Sequence, residues 1–377
     1  MRCFLFLWLQ IYKKNCNFAA KFSKIFAKVA AAVRKVTNKQ AAIAHFNNKD
    51  MDTKALSPLK FTPVLKSPLW AGRGIVALKQ LSGIEAVGES WEVSGVPGDE
   101  TAVSEGPLKG YTLRRLTEEF GADFIGKANL ERYGLDFPLL IKFISADGDL
   151  SIQVHPDDAM AQRYGKPFGK TEMWYIIGAD AGASLCSGFK HDLTPEEYDA
   201  IMAEGTLCDH LAAHETHVGD CFFIPAGQIH SIGKGNLLIE VQQSSDLTYR
   251  VFDFNRRDAQ GNLRQLHTAE AREALNFKAR EEYRTAYDDR DDTHIVLERH
   301  PEFTTSVMHL TGAFERDLTD VDSFVILIAY EGAATLRTDG GHTATLKAGE
   351  SILLPACTKH VTITPEGGRF SIVETFV

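Results

Sequence analysis

Gly219-Asp-Cys-Phe-Phe-Ile-Pro-Ala-Gly-Gln-Ile-His230 recurs in outline as Gly349-Glu-Ser-Ile-Leu-Leu-Pro-Ala-Cys-Thr-Lys-His360. Both copies begin with Gly and an acid, place Pro-Ala at the same offset, and end on a His eleven residues after the Gly. The Gly-acid pair makes a turn and a short apolar strand follows. Pro-Ala then breaks that strand before a second one opens with a His expected to face inward. Upstream of each copy lies another apolar strand, opening at Trp174 and at Phe324, but the interval to the Gly is 45 residues in the first and 25 in the second. The 20 extra residues match 193–215, read as a small helical insertion that opens with Thr194 as N-cap, Pro195 in the first turn and Glu196 and Glu197 behind it.

The rest of the chain from residue 60 reads as short strands between turns, among them Leu139-Leu-Ile-Lys-Phe-Ile144, Trp174-Tyr-Ile-Ile177, Leu237-Leu-Ile-Glu-Val241 and Phe324-Val-Ile-Leu-Ile328. Two further helical signals stand at Thr112–Phe124 and Thr268–Phe277, the latter with Thr268 as the expected cap. Many short strands and few long helices mean a mainly β fold. The Gly-acid-x4-Pro-x4-His arrangement resembles the second half of a cupin motif, and two copies imply two cupin (jelly-roll) β-barrels, the first carrying the helical insertion. Residues 51–277 are then a catalytic metal-binding domain and 278–377 a C-terminal degenerate copy, with the charged stretch near 278–293 as the link.

The 377 residues carry a net charge of −9, divided unevenly. Residues 1–50 hold ten Lys/Arg against Asp50 alone, +9, which leaves −18 for the remainder. An acidic body of that size argues against non-specific nucleic-acid binding. The apolar run Cys3–Tyr12 is too short to span a bilayer, and Lys13 and Lys14 stand where a signal peptide would need small residues. Met51 opens ordinary domain sequence, so translation is expected to begin there, with 1–50 arising from a misassigned upstream start. Cys186, Cys208, Cys221 and Cys357 are scattered without a Cys-x-x-Cys pair, as in a cytoplasmic protein.

Gln153 and His155 lie two apart in an extended segment, so their side chains share a face. Glu172 opens the next strong strand and His230 opens the strand after the first Pro-Ala. Four inward O and N donors from three strands make a divalent-metal site; donor chemistry suits zinc and leaves iron and manganese open. The second copy has no Gln-x-His upstream of it, so His360 is expected to be structural and that half to bind no metal. His191, His210, His214 and His217 belong to the insertion and its edges and are expected in solvent; Trp91 and Trp174 are read as core.

Phe137-Pro-Leu-Leu-Ile-Lys142, Ser151-Ile-Gln-Val-His-Pro-Asp-Asp158, Lys170-Thr-Glu-Met-Trp-Tyr175, Ile224-Pro-Ala-Gly-Gln-Ile-His-Ser231 and Ile239-Glu-Val-Gln-Gln-Ser-Ser-Asp-Leu-Thr-Tyr-Arg-Val-Phe-Asp-Phe254 resemble the type I phosphomannose isomerases in their shorter bacterial form. The likeness runs across 57–377, with Trp70-Ala-Gly-Arg73 departing mildly from the family's Trp-Gly-Gly. It implies interconversion of mannose 6-phosphate and fructose 6-phosphate by proton transfer through an enediol(ate), with one Zn2+ per chain held by Gln153, His155, Glu172 and His230. It also places Ser151, Lys142 and Lys170 near the sugar phosphate. Arg250, an Arg on an apolar strand, fits the charge-stabilising role, and Glu240 and Asp246 are further pocket candidates. Lys170, Glu240 and metal-bound water are each competent to move the proton. A sugar phosphate is the expected partner, with no nucleic acid or membrane, for a monomer or small homo-oligomer. A non-catalytic sugar-phosphate binder and an iron-dependent cupin dioxygenase are the competing readings.

Overall fold

Period-2 alternation of apolar and polar residues, with turns every few residues, builds sheets that can hide only one face alone and therefore stack in pairs. The computed structural model describes residues 56–257 and 260–377; the basic stretch 1–50 and the expected start at Met51 lie outside them. In the first half a six-stranded antiparallel sheet has the order Cys221–Ile224, Glu172–Ala179, Asn236–Gln243, Leu139–Ala146, Glu89–Val93, Val64–Lys66. A five-stranded sheet, Tyr249–Phe252, Ile152–Val154, His230–Ile232, Ser184–Phe189, Leu211–Glu215, faces it. Ile144, Trp174, Ile176, Phe222 and Leu238 of the former pack against Leu185 and Ile232 of the latter. The second half repeats the plan with five strands and four, joined through Leu327, Ile352 and Ile372 on one side and Leu336, Leu346 and Ile363 on the other. The fold is mainly β as expected; the strand ladders of the described residues form two pairs of facing sheets, two sandwiches, and do not close into a ring.

Among the described residues, the apolar runs beginning at Leu139, Trp174 and Leu237 and the one that follows Phe324 lie in strands, and Leu139–Ala146 is buried along its whole length. The insertion departs from its reading. Pro195–Glu204 is a helix with a full capping box at Thr194, but Gly205 adopts φ 73° and ends it, and after the short turn Leu207–His210 the chain becomes the edge strand Leu211–Glu215. That strand pairs with Ser184–Phe189, and the helix packs through Tyr198 and Ile201 on the outer face of the five-stranded sheet beside Phe189 and Tyr249. The segment Thr268–Ala274 is also helical, with His267 rather than Thr268 at the cap position. The helical signal at 112–124 resolves into Leu113–Phe120 and Ala122–Ile125, followed by an unforeseen helix Lys127–Tyr133.

The two echoing copies differ by one step of pleat. His230 and Ile232 point between the sheets, and both are buried. In the second copy Val361 and Ile363 take the inward positions, leaving His360 exposed beside Asp317. A one-residue change in strand phase turns every side chain over, so the inward orientation expected for His360 is corrected: an apolar valine fills the place where the first copy presents an imidazole.

A buried ion pair ties the halves together. Lys79 Nζ lies 2.8 Å from Glu92 Oε1 on the six-stranded sheet and donates to the Gly349 carbonyl of the second half, while Ser90 Oγ donates to the same carboxylate. Removing one partner of a buried pair strands the other charge. Lys79→Met is therefore expected to lower unfolding free energy by about 3 kcal/mol in urea titration, and adding Glu92→Leu to recover most of it; an unchanged midpoint in the single variant would show that the pair contributes nothing.

Candidate metal centre and substrate cleft

Strand register brings the chemistry to one place between the sheets. Gln153 is the cross-strand neighbour of both His230 and Arg250, so these three stand in a row on the inner face of the five-stranded sheet. His155 follows two residues after Gln153. Across the gap, Glu240 is the cross-strand neighbour of Lys142 and Trp174, and Glu172 lies two residues before Trp174 on the same face.

His155, Glu172 and His230 converge and are fully buried. His155 Nδ1 lies 2.8 Å from the Leu247 carbonyl and His230 Nδ1 2.8 Å from the Gln228 carbonyl. A carbonyl can only accept, so each Nδ1 carries the hydrogen and donates, and each Nε2 is left with a lone pair. Those two nitrogens are 3.1 Å apart, and each is 3.4 Å from one oxygen of Glu172. Both Glu172 oxygens are buried without a hydrogen-bond partner, though Lys170 Nζ stands 3.0 Å from one of them.

Burial pushes the His155 imidazole down to about 3, with Lys170 adding to the effect, and burial lowers His230 as well. For Glu172 burial works upward, but Lys170 and then His155 overcome it and hold the carboxyl well below its usual range. Two neutral imidazoles and a carboxylate, all lone pairs facing inward, repel one another unless a cation sits among them; the donor set and the orphaned carboxylate fit a divalent metal ion. The backbone carbonyls behind each ring fix the tautomer such an ion requires. Gln153 presents its amide nitrogen, 3.3 Å from His230 Nε2, while its oxygen accepts from Ser151 Oγ at 3.4 Å; a half-turn of the amide exchanges the two.

Beside the cluster opens a cleft of about 730 Å³, its mouth included. Ser151, Lys142, Lys170, Glu240, Asp246 and Arg250, which the sequence singles out, all line it with Gln153. Lys142 Nζ donates to Glu240 Oε1 at 2.8 Å and stands 3.6 Å from Glu89; burial alone would lower this ammonium, but Glu240 and Glu89 hold it above the usual lysine range. The other Glu240 oxygen accepts from Trp174 Nε1 at 3.0 Å. Arg250 instead donates from Nη1 to the Gln265 carbonyl. Asp246 sits at the rim, half exposed, paired with Lys166.

Among the lining residues that sequence reasoning missed are Trp70, Glu89, Trp91 and Arg264. Strand alternation could have found Glu89 and Trp91, which share the inner face with Lys142. Trp91, read as core, lies under the ammonium groups of both Lys66 and Lys142. Arg264 lies in an irregular loop with no periodicity to read. Of the other histidines, His191 and His217 are exposed, whereas His210 and His214 are half-buried, the latter against Phe222 and Tyr283.

Residues 70–198 match the family model of the phosphomannose isomerase type I catalytic domain, and residues 293–374 that of the mannose-6-phosphate isomerase cupin domain. The chain is 33% identical over 301 residues to mannose-6-phosphate isomerase ManA of Bacillus subtilis (strain 168), an alignment covering 79% of this chain and 93% of the relative. It is 34% identical over 272 residues to mannose-6-phosphate isomerase of Streptococcus mutans, covering 72% and 83%. The crystal structure of mannose 6-phosphate isomerase from Bacillus subtilis matches with a TM-score of 0.77 at 32% identity, over 85% of this chain and 100% of that one. A mutant phosphomannose isomerase from Salmonella typhimurium, 16% identical, shares the fold at a TM-score of 0.71.

An imidazole whose folded pKa is depressed withholds a proton that the unfolded chain binds, so its contribution is complete above the unfolded value and is lost as the pH falls toward the folded one. For His155 that window runs from 6.5 down to about 3. Chelator-treated protein is expected to lose up to about 1.4 kcal/mol per pH unit per such group below its unfolded pKa. Urea titrations at about pH 7 and about pH 5 should show a smaller loss for His155→Gln than for wild type; equal losses would contradict the assignment.

Proposed function

The chain belongs to the type I phosphomannose isomerase family, and from that premise we propose an aldose–ketose isomerase that interconverts mannose 6-phosphate and fructose 6-phosphate beside the His155–Glu172–His230 cluster. The observation that carries the reading is the pair of orphaned Glu172 oxygens facing two imidazole lone pairs next to a cleft lined by Lys142, Lys170 and Arg250. His155 and His230 through Nε2, Glu172 through its carboxylate and Gln153, its amide turned to present the oxygen, would hold one Zn2+ per chain. When bound, the ion supplies Lewis acidity to the oxygens on C1 and C2.

The reaction moves a proton between C1 and C2 through an enediol(ate), and negative charge develops on adjacent oxygens. Arg250, the cross-strand neighbour of Gln153, faces that charge with a cation that is never deprotonated. Lys170, one of the candidate proton carriers, stands at the cluster with its Nζ 3.0 Å from Glu172. Glu240 spends both oxygens on Lys142 and Trp174, so its part is to hold Lys142 in place. Ser151, Lys142 and Asp246 bind substrate hydroxyl groups along the cleft. The two sandwiches act as cupin jelly-roll units, only the first of them metal-binding. The enzyme works in the cytoplasm on a small sugar phosphate, as a monomer or small homo-oligomer; among the described residues no helix is long and apolar enough to cross a membrane.

A coupled assay of mannose 6-phosphate isomerisation on zinc-loaded protein tests the reading. Wild type is expected to turn over, and Arg250→Ala to keep its zinc while losing about 100-fold or more in kcat, as when a charge-stabilising donor is removed. His230→Ala should lose both metal and turnover, and His360→Ala neither. Wild type that binds mannose 6-phosphate without converting it would overturn the enzyme assignment, and near-normal turnover in Arg250→Ala would remove that residue from the chemistry.

A further inference from the structure

The charges lining the cleft are unevenly paired. Lys142 has Glu240 and Glu89, Lys170 has Glu172, and Asp246 has Lys166. Around Arg250 the balance reverses. Arg264 Nη1 lies 3.3 Å from Asp253 Oδ1, and Arg256 binds the same buried oxygen, so two guanidiniums share one carboxylate. Arg250 stands beside them: burial, and next the nearby Arg264, work against its charge, with Asp253 opposing. Its Nε is buried without a hydrogen-bond partner. Three arginines around a single carboxylate leave a surplus of positive charge at this end of the cleft, and of the three Arg250 and Arg264 line the cleft itself.

The backbone sets the order of groups. His230, Gln153 and Arg250 stand on successive strands, and the segment around His267 runs back along Arg250, exchanging His267 N–H to the Arg250 carbonyl and Arg250 N–H to His267 Nδ1. The returning chain that carries Arg264 therefore lies beyond Arg250 as seen from the metal cluster. A hexose 6-phosphate has its carbonyl and its dianion at opposite ends of a six-carbon chain, and the cleft has a lone-pair cluster on one side of Arg250 and a surplus of guanidinium charge on the other.

We propose, resting on the isomerase reading, that Arg264 recognises the substrate's phosphate, with Asp253 as the positioning residue that holds its guanidinium at the cleft wall. A planar guanidinium offers two parallel N–H donors to phosphate oxygens, and the exposed edge of Arg264 is placed to use them. This assigns the phosphate to the arginine end; the lysines, already neutralised, serve the sugar. Arg256, bound to the same carboxylate, holds Asp253 in place when Arg264 turns toward the ligand.

The test compares zinc-loaded wild type, Arg264→Gln and Arg264→Lys, with zinc content and thermal midpoint measured on each. Loss of a charge-assisted contact to phosphate is expected to raise KM for mannose 6-phosphate by roughly 10- to 100-fold with kcat within about threefold. Whatever turnover wild type shows on unphosphorylated mannose should be unchanged, and Arg264→Lys should recover part of the loss on mannose 6-phosphate. Asp253→Asn is expected to raise KM in the same direction, again without touching unphosphorylated mannose. Inorganic phosphate, titrated calorimetrically, should bind wild type more tightly than Arg264→Gln; this comparison decides the residue's role even if wild type proves not to isomerise, an outcome that would count against the isomerase reading alone. A KM within about twofold of wild type in Arg264→Gln, or an equal loss on phosphorylated and free sugar, would overturn the proposal. Should Arg264→Gln fail to fold, the same phosphate titration on Arg264→Lys reads it: unchanged affinity overturns it, weakened affinity supports it.

Discussion

The confrontation of two imidazole lone pairs with a buried carboxylate is the constraint around which the first sandwich is organised. Nothing in apolar packing favours placing His155, His230 and Glu172 within 3.1–3.4 Å of one another, fully buried, with both carboxylate oxygens lacking a hydrogen-bond partner. Such an arrangement costs desolvation for every group in it. A cation offsets that cost, and the surroundings prepare for one: backbone carbonyls at Leu247 and Gln228 fix both tautomers, and Lys170 keeps Glu172 ionised.

Two sheets are needed to assemble the cluster, because its donors come from both. Gln153 and His230 reach in from the five-stranded sheet and Glu172 from the six-stranded one, so the spacing between donors follows from how the sheets stack. Helices on the outer face of the five-stranded sheet then bury its other side, which lets strands as short as three residues hold their place. The same stacking lines the adjoining cleft with alternating charges. Lysines and carboxylates pair near the cluster and guanidiniums gather farther along, giving a dipolar channel matched to a sugar with an anionic end. The body's large negative charge makes these few inward cations stand out as the places where an anion can settle.

Much of this was legible in the sequence because strand periodicity is local. The two-residue spacing of Gln153 and His155, the inward Glu172 and the Pro-Ala break before His230 all follow from rules that need only neighbouring residues. Where the reading failed, the deciding information lay elsewhere in the fold. His360 keeps the spacing of His230 but sits one step out of phase, which its own segment does not reveal; Val361 and Ile363 fill the interior instead. The insertion carries a sound helix start at Thr194, yet its last five residues are a strand because the edge of Ser184–Phe189 is open to pair with them. Arg264 was invisible because its place depends on Asp253 and on a returning loop rather than on a pattern.

Titrating Zn2+ into chelator-stripped protein while following mannose 6-phosphate turnover asks whether one metal ion at this cluster is required for isomerisation. No activity is expected without metal, and a linear rise should level at one equivalent per chain. Turnover that survives complete removal of metal, or that levels only at two equivalents, would contradict that requirement.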